Sequence, residues 1–504
     1  MGIHHWSIYG VIRRNARLYQ NRTALIWGQE TVSYLEFREK VDRLAAGLHR
    51  IGVESGERIG ILAKNGLAYT YLLGAAAKIG AILAPINWRL NPEEIAYILS
   101  DSSPKVCFVD EEFHTSADQL ISNSGVMTST FSTGAPNGKF ISFDDLMDQG
   151  DVTPTSNLSH DDRYVLLYTA AVHGRPRAAV VTQQGLLFVS LQLGSSWGLG
   201  KKDVSLAVLP LFHVAGLLQV LSVMLAGGRN VVLPGFDADK AVKCIEEHQV
   251  TVFVEFPPML SKIMAKAEEG GRKLSSILHV FGIDQPELVK RFQDATGATF
   301  WASYGQSETS GLVTVGPYFE RLGSTGLPLQ LIEVEVVGDS GNILERGASG
   351  EIVVRGPHVF KGYWNKDADT RYTFRDGWHH TGDMGHIDED GYLWFEGRAE
   401  EKELIKPGGE NVYPAEVEKV VMECPAVQEV VVIGVPDPTW GEAIKAVCVL
   451  VPGSSLSEGD VIEFVAARIA RFKKPKHVVF VDDLPKTSDG KLDRATIKAQ
   501  HGKA

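Results

Sequence analysis

Two spacings of apolar residues alternate along the first 120 residues. The segment "SYLEFREKVDRLAAGLHRIG" repeats apolar side chains every three or four positions, which predicts a helix with one buried face. The short apolar runs "ERIGILAKN", "AILAPIN" and "PKVCFVDE" predict buried strands, and "GLAYTYLLGAAAKIG" and "NPEEIAYILSDS" predict helices between them. This repeated strand–helix–strand order predicts a largely parallel sheet covered by helices.

The pattern changes twice further along the chain. Residues 121–160 are rich in Ser, Thr, Gly and Asn and predict exposed connections, after which "DVSLAVLPLFH", "NVVLPGF" and "VTVFVEFPP" resume the alternation. From about Glu333 short strands joined by tight turns predict a β-rich subdomain. The charged, turn-rich stretch Ala399–Gly409 is the best candidate for a domain boundary.

Length and composition favour a multidomain protein without nucleic-acid partners. A chain of 504 residues exceeds what one hydrophobic core usually supports. It carries 62 acidic and 50 basic residues, a net charge of −12, which disfavours nucleic-acid binding but not a local anion site. Four scattered cysteines predict reduced thiols in a cytoplasmic protein. The longest apolar stretches contain Lys, Pro, His or Gly, so no transmembrane segment is expected, while peripheral membrane contact and a homodimer stay open.

Four short motifs in the second half could carry chemistry. "YGQSET" contains Glu308, "HHTGDMGHIDEDGYLWFEGR" contains Asp383 and Arg398, "KPGGENVYPAEVE" joins a Gly-Gly loop to a helix, and "LPKTSDGKLDR" contains Lys491. Each motif alone is typical of an ordinary turn or a solvated surface. The sequence has no H-E-x-x-H zinc motif and no G-x-x-x-x-G-K-[ST] phosphate loop, and "HHTGD" is one residue too short for the acyl-transfer motif H-H-x-x-x-D.

Together and in this order, the motifs resemble those of the adenylate-forming superfamily, which includes acyl-CoA synthetases, firefly luciferase and peptide-synthetase adenylation domains. The resemblance runs from "KIGAILAPINWRL" through "PLFHVAG", "YGQSE", "GSTGLP", "SGEIVVRGP" and "GYW" to "PKTSDGK". Within this superfamily the chain is similar to AMP-forming acyl-CoA synthetases, the fatty-acid–CoA ligases. This resemblance implies an acid–thiol ligase that uses ATP and Mg²⁺ to form an acyl-adenylate and then passes the acyl group to CoA.

The resemblance also implies a domain organisation. We expect an α/β fold with a large N-terminal adenylation domain at residues 1–401, built of mixed, mostly parallel sheets with helices. Its β-rich subdomain would span about 325–401, and residues 402–504 would form a small, mobile α+β domain.

A nucleotide site follows from the same resemblance. Asp383 would accept hydrogen bonds from both ribose hydroxyls, a role suited to a carboxylate, and Arg398 would support the ribose from the other side. Tyr304 would stack on or near the adenine. Glu308 would hold Mg²⁺ through its carboxylate oxygens, and Ser307 would contact phosphate.

The implied C-terminal domain serves both half-reactions by rotating. Lys491 would bridge the substrate carboxylate and the α-phosphate, offsetting the repulsion between the two anions. Rotation about a hinge at Lys402 or Glu403 would then bring Gly408 and Gly409 to the site, where a pantetheine arm could pass close to the backbone. The loop from Arg398 to Gly408, which contains this hinge, is about two residues longer than in many relatives.

The acyl and CoA sides are assigned in the same way. The acyl pocket would be lined by His213, Val214, Pro257, Trp301, Ala302 and Ser303, and we expect it to take an apolar fatty, aromatic or alicyclic acid. A core position for His213 stays open. Glu410 and Lys474 are candidates for the CoA or thioester step. The cationic patch Arg471, Lys473, Lys474 and Lys476 would meet the CoA phosphates or form a solvated loop.

Two segments depart from the family pattern. The phosphate loop T-S-G-T-T-G-x-P-K-G appears as "TAAVHGRPRA", which keeps Thr169, Gly174 and Pro176, lacks the central hydroxyls and has Arg177 in place of Lys. Each lost charge-assisted hydrogen bond costs about 1.5–3 kcal/mol, part of which Arg177 could offset. The adenine-side loop "FGIDQPE" is one residue shorter.

We therefore predict an active ligase with an altered ATP half-reaction. Two alternatives stay open at this point: a non-catalytic or half-reaction homologue with impaired use of ATP, and acyl transfer to a carrier protein in place of CoA.

Overall fold

The computed structural model describes residues 6–126, 128–147, 158–169, 175–398, 404–487 and 492–503. The first elements in chain order are α1 (Ile8–Leu18), β1 (Thr23–Trp27), β2 (Glu30–Ser33), α2 (Tyr34–Arg50), β3 (Arg58–Leu62), α3 (Leu67–Ile79), β4 (Ile82–Pro85), α4 (Pro92–Ser102), β5 (Val106–Val109), α5 (His114–Ser124), β6 (Ser129–Ser132), β7 (Ile141–Ser142), α6 (Phe143–Met147), β8 (Arg163–Thr169), β9 (Arg177–Thr182) and α7 (Gln183–Ser196).

The middle of the chain contributes β10 (Val204–Ala207), α8 (Val214–Leu225), β11 (Arg229–Val232), α9 (Ala238–His248), β12 (Val252–Glu255), α10 (Met259–Glu269), β13 (His279–Gly282), α11 (Pro286–Thr296), β14 (Thr299–Tyr304), β15 (Thr314–Pro317) and β16 (Leu327–Pro328). The last part contributes β17 (Glu333–Val337), β18 (Gly350–Arg355), α12 (Asp367–Thr373), β19 (Phe374–Arg375), β20 (Trp378–Ile387), β21 (Leu393–Arg398), α13 (Pro414–Met422), β22 (Val427–Asp437), β23 (Gly441–Leu450), α14 (Glu458–Ala466), β24 (His477–Val481) and α15 (Arg494–His501).

Two large sheets form the N-terminal part. One has the order β7-β6-β5-β3-β4-β8-β9 and is parallel except for the β8–β9 hairpin. The other has the order β16-β15-β14-β13-β12-β10-β11-β1-β2 and is parallel from β14 to β1. Strands β4, β5, β10 and β12 are buried along their whole length, as expected for parallel strands covered on both faces.

Local sequence signals explain where the helices begin. Helix α4 starts with a capping box, in which Asn91 Oδ1 accepts from the Glu94 backbone and Glu94 Oε2 accepts from the Asn91 backbone at 2.8 Å each. Pro92 occupies the first turn of this helix, where its missing N–H is not needed. Helix α2 begins with the same arrangement between Ser33 and Glu36.

The last part of the chain contains two smaller sheets. Strands β17, β18, β20, β19 and β21 form an antiparallel sheet, which is the β-rich region expected after Glu333. Strands β22, β23 and β24 form the other, and residues 405–497 have hydrophobic clusters separate from the N-terminal core. The proposed boundary near residue 401 lies outside the described residues.

The mixed α/β fold class is confirmed, and one detail of the sequence reading is wrong. Residues 121–160 are not only exposed connections, because β6 pairs in parallel with β5 and extends the sheet through β7. The polar composition hid these strands, although Phe131 and Ser132 of β6 are buried. Among the described residues, no helix has both the length and the apolar character that a membrane crossing requires.

Candidate active site

One large cavity lies at the carboxyl ends of β12, β13 and β14, where ligand sites form in parallel sheets. Its volume is about 610 Å³, within the range of sites for small molecules. Strands β20 and β21 form a polar wall, α8 an apolar wall, and residues 406–411 of the C-terminal part close a third side. Residues far apart in sequence therefore meet in one chamber.

Asp383 is the centre of the polar wall. Its carboxylate accepts hydrogen bonds from the Tyr304 hydroxyl at 2.7 Å and the Gln306 amide at 2.5 Å, and Arg398 Nε lies 3.3 Å away. Asp383 and Arg398 are direct cross-strand neighbours on β20 and β21. Three donors thus fix this buried carboxylate, while Tyr304 stacks with Phe395 at 6.0 Å between ring centroids.

Glu308 forms a second acidic position on the same wall. It follows β14 in a short 3₁₀ turn that also contains Ser307, and both line the cavity. Tyr363 donates its hydroxyl to Glu308 Oε1 at 2.8 Å, and Thr169 Oγ1 lies 3.5 Å from the same oxygen. The turn therefore holds one carboxylate beside the end of strand β8.

Arg177 lies next to this carboxylate, at the start of β9. Its guanidinium is 4.2 Å above the Tyr363 ring and 3.6 Å from Asp369, and it lines the cavity. Its Nε is buried without a partner among the described residues. Arg177 thus brings a positive charge to the side of the cavity that Glu308 occupies.

The apolar wall contains most of the predicted acyl-pocket residues. His213, Val214, Pro257, Ala302 and Ser303 all line the cavity. With 37% of its side chain exposed, His213 is not a core histidine. Trp301 is not among the lining residues: it packs behind Trp197 and donates its indole N–H to His279 Nδ1 at 3.2 Å. Its large side chain therefore supports the pocket from outside.

The Gly-Gly segment of the C-terminal part enters the cavity. Gly408 (φ +58°) and Gly409 (φ +86°) adopt left-handed backbone conformations. A Cβ on Gly409 would lie 3.0 Å from the Phe256 ring, and one on Gly408 would lie 2.8 Å from Trp440, so both positions need glycine. Glu410, also in the cavity wall, approaches His213 Nε2 at 3.6 Å.

Lys406 reaches the polar wall from the same segment. Lys406 is exposed by surface area and lines the cavity. Desolvation beside the cavity wall and then the positive charge of Arg398 lower the pKa of Lys406 to about 8, while Asp383 and Glu442 act in the opposite direction. A lysine whose pKa is lowered from its ordinary value therefore lies near Asp383 and Arg398.

The basic patch after α14 divides into separate contacts. Lys473 is buried and pairs with Glu416 at 2.6 Å and with Glu94 of the N-terminal part. Lys476 pairs with Asp437. Lys474 stays partly exposed, 3.9 Å from Glu463, and does not line the cavity. The patch is thus partly a contact between the two parts of the chain.

Several predicted residues lie outside the described residues: Gly174, Lys402, Glu403 and Lys491. Conversely, sequence reasoning missed Arg89, Gln219, Tyr363 and Lys406, which all line the cavity. Arg89, Tyr363 and Lys406 lie in the motif segments "NWRL", "GYW" and "KPGG", so the motifs could have identified them as site residues. Gln219 lies in an apolar helix, and only its position facing the cavity reveals it.

Comparison with known proteins agrees with this geometry. The family model "AMP-binding enzyme" matches residues 12–364, and "AMP-binding enzyme C-terminal domain" matches residues 416–491. An indoleacetate–CoA ligase of Aromatoleum aromaticum is 35% identical over 97% of this chain and 96% of its own. A feruloyl-CoA synthase of Amycolatopsis sp is 34% identical over 99% of both chains.

A solved structure shows the same architecture. The o-succinylbenzoate CoA synthetase of Bacillus subtilis, bound to a product analogue, has 29% identity and a TM-score of 0.85, covering 98% of both chains. The resemblance inferred from the motifs is therefore confirmed: the chain belongs to the AMP-binding enzyme family, as a member of the AMP-forming acyl-CoA synthetases.

Proposed function

We propose that this enzyme activates an apolar aromatic carboxylic acid with ATP and transfers the acyl group to CoA. One observation carries the proposal: a single cavity joins the Asp383–Arg398 pair, the apolar wall of α8 and the backbone of Gly408 and Gly409. Nucleotide, acid and thiol could thus meet in one place. Relatives named for indoleacetate and ferulate support an aromatic acid.

The first half-reaction makes an acyl-adenylate. A carboxylate oxygen of the acid attacks the α-phosphorus of ATP, the new P–O bond forms, and pyrophosphate leaves. In our proposal Asp383 accepts the ribose hydroxyls while Tyr304 and Arg398 hold it in place, as their contacts of 2.7 and 3.3 Å support. Lys491 would offset the repulsion between carboxylate and α-phosphate.

The phosphate side is proposed to rely on Arg177, Thr169 and Ser307. Thr169 and Arg177 begin and end the loop whose central hydroxyls the sequence lacks, and a planar guanidinium can bind phosphate through two hydrogen bonds. Gly174 lies outside the described residues, and its role in this loop stays a prediction.

Mg²⁺ fits the donors on this wall. Among the described residues no cluster of three or more acidic, His or Cys side chains could hold a metal by itself. Mg²⁺ commonly binds to one or two carboxylates together with substrate phosphates, and Glu308 beside Thr169 offers such a carboxylate. Glu308 is therefore the residue we propose to hold it, and the bound ion would neutralise charge on the departing pyrophosphate.

The second half-reaction forms the thioester. The CoA sulfur attacks the acyl carbon, the bond to the AMP oxygen breaks, and the thiol proton leaves. Gly408 and Gly409 lie at the cavity, which supports an orientation of the C-terminal part that suits this step. A change of orientation about Lys402 or Glu403 would bring Lys491 in for adenylation. Lys474 is proposed to meet the CoA phosphates because it stays partly exposed.

CoA is favoured as acceptor because the relatives compared above are named CoA ligases or synthases. They give no support to a non-catalytic or half-reaction protein. A cytoplasmic location, a homodimer and peripheral membrane contact stay predictions.

The proposal is tested by a Lys491→Ala variant assayed on each half-reaction. We expect pyrophosphate release to fall at least 100-fold, while thioester formation from supplied acyl-AMP and CoA persists. Equal adenylation by the variant and the unmodified enzyme would contradict the assignment of Lys491. Absence of AMP release by the unmodified enzyme with every aromatic and fatty acid would contradict the proposed function.

A further inference from the structure

Tyr363 contacts two opposite charges on the polar wall of the cavity. It lies between β18 and α12 in the chain, and only 6% of it is exposed. Its hydroxyl donates to Glu308 Oε1 at 2.8 Å, and its ring lies 4.2 Å below the Arg177 guanidinium. The face of an aromatic ring attracts a guanidinium at this distance. One side chain therefore holds both the carboxylate and the cation.

The surrounding structure fixes this tyrosine independently of the two charges. The Tyr363 N–H donates to Thr370 Oγ1 at 2.9 Å. Its backbone also forms an antiparallel bridge with Ala179, which lies two residues after Arg177 on β9. The ring of Phe360 packs edge-on against the Tyr363 ring, with 4.9 Å between centroids. The tyrosine is thus a rigid support beside the end of β9.

Arg177 and Glu308 lie near each other without forming an ion pair. Thr169, the cross-strand neighbour of Arg177, lies 3.5 Å from Glu308 Oε1 through its hydroxyl. The guanidinium nevertheless makes its ion pair with Asp369, at 3.6 Å, and Glu308 is not among its ion-pair partners in the described part of the chain. Both Arg177 and Glu308 line the cavity. Two opposite charges therefore share one wall without neutralising each other.

We propose that Tyr363 is a positioning residue, which keeps Arg177 from pairing with Glu308 and leaves both charges available to the nucleotide. This inference rests on the proposed function, in which Arg177 meets phosphate and Glu308 holds Mg²⁺. The ring face and the hydroxyl of Tyr363 hold the two groups in separate places. Without them, the attraction between opposite charges in an enclosed site brings the guanidinium onto the carboxylate. A guanidinium paired in this way has fewer N–H groups to offer to phosphate.

The test measures the equilibrium binding of ATP in EDTA, without an acid substrate, so that neither turnover nor Mg²⁺ contributes. In Tyr363→Leu we expect the dissociation constant for ATP to rise about 10- to 100-fold, as for the loss of a hydrogen bond between charged groups. Tyr363→Phe keeps the ring below Arg177 and loses the hydroxyl that holds Glu308. Its loss of affinity should therefore be smaller but measurable.

A second substitution separates positioning from a general structural role. Glu308→Gln keeps the size of the side chain but removes the charge that would capture Arg177. Combined with Tyr363→Leu, it should restore the binding of ATP in EDTA close to that of the unmodified enzyme. A loss caused by altered packing around Tyr363 would persist in the double variant.

Tyr392→Leu is the matched control. Tyr392 makes the same two kinds of contact, because the Arg321 guanidinium lies 5.3 Å from its ring and its hydroxyl donates to Glu320 at 2.5 Å. It does not line the cavity. The control should bind ATP as the unmodified enzyme does, and thermal unfolding of each variant checks that it is folded.

The possible results separate this inference from the function on which it rests. Unchanged binding of ATP in Tyr363→Leu, or a loss that Glu308→Gln does not reverse, overturns the role of Tyr363 and leaves the ligase function standing. If Tyr363→Leu does not fold, the same comparison with Tyr363→Phe decides the point, and an unchanged affinity overturns the inference. Binding that requires Mg²⁺ also overturns it, because Arg177 would then not hold the phosphates by itself. Absence of ATP binding by the unmodified enzyme, with or without Mg²⁺, contradicts the ligase function and this inference with it.

Discussion

Arg89 and Glu410 are 321 positions apart in the chain, yet Arg89 Nη1 donates to Glu410 Oε1 at 3.0 Å. Asn87 and His213 approach the other oxygen of the same carboxylate, at 3.2 and 3.6 Å. Burial alone would raise the pKa of Glu410, but His213 and Arg89 outweigh it and hold this pKa below its ordinary value. Glu410 therefore attaches the Gly408–Gly409 segment to the wall of the cavity.

Replacing Glu410 by Gln should slow thioester formation and spare adenylation. The substitution keeps the size of the side chain but removes the charge that Arg89 contacts, and a hydrogen bond between charged groups contributes about 1.5–3 kcal/mol. We expect kcat/KM for thioester formation from supplied acyl-AMP to fall about 10- to 100-fold. Glu423→Gln, an exposed position of the same domain, serves as control. An equal loss in both half-reactions would show that Glu410 has no specific role in the domain orientation that forms the thioester.

Glu94 and Lys473 form a second contact between the two parts of the chain. The Lys473 side chain is 3% exposed and is shared between Glu94 and Glu416. Glu94→Gln keeps an acceptor for the capping box of α4 but removes one of the two charges around a buried lysine. We predict a slower thioester step with unchanged pyrophosphate release, measured in separate assays. Unchanged rates in both assays would contradict a role for this pair in orienting the domain.

Asp383→Asn tests the nucleotide wall. The variant retains the shape of the side chain, but its amide can no longer offer two acceptor oxygens to Tyr304, Gln306 and the ribose. We expect KM for ATP in pyrophosphate release to rise about 10- to 100-fold, with the affinity for the acid less affected. Asp339→Asn, in an exposed turn of the β-rich region, should leave KM unchanged. An unchanged KM for ATP in Asp383→Asn would contradict the assignment of Asp383 to the ribose hydroxyls.

Lys406 should titrate far below an ordinary lysine. Its pKa of about 8 in the folded protein compares with about 10.4 for the same side chain in an unfolded chain. Between these values the unfolded chain binds more protons, so this group makes folding less favourable below pH 8 and its penalty disappears as the pH rises towards 10.4. Competitive acetylation followed by mass spectrometry should give a reactivity midpoint near pH 8, moving to about 10.4 on denaturation. A midpoint near 10 in the folded protein would contradict the lowered pKa of Lys406.

Much of the fold could be predicted because local signals and burial agree. The helical spacing of residues 34–50 and the capping box at Asn91 both appear in the sequence and in the structure. Strand β6 was missed because "STFS" is polar on average, and its pairing with β5 and β7 stabilises it as a strand. Composition cannot reveal a strand whose partners are decided by tertiary structure.

The site could be predicted only as far as its motifs extend. Asp383, Arg398, Tyr304 and Glu308 were identified from recurring motifs, and the structure brings them to one cavity. The resemblance assigns Trp301 to the pocket, although its ring packs against Trp197 and does not line the cavity. Gln219 carries no motif, because its place in the cavity wall is a property of packing.

The two half-reactions, acyl-adenylate formation and then CoA thioester formation, can be measured separately in one experiment. The unmodified enzyme is incubated with ATP, Mg²⁺, CoA and a panel of aromatic and fatty acids, and pyrophosphate release and thioester formation are each quantified. We predict that at least one aromatic acid gives both products in equal amounts, with thioester formation dependent on CoA. Pyrophosphate release without a thioester would contradict CoA as the acceptor, and formation of neither product from any acid would contradict the ligase function.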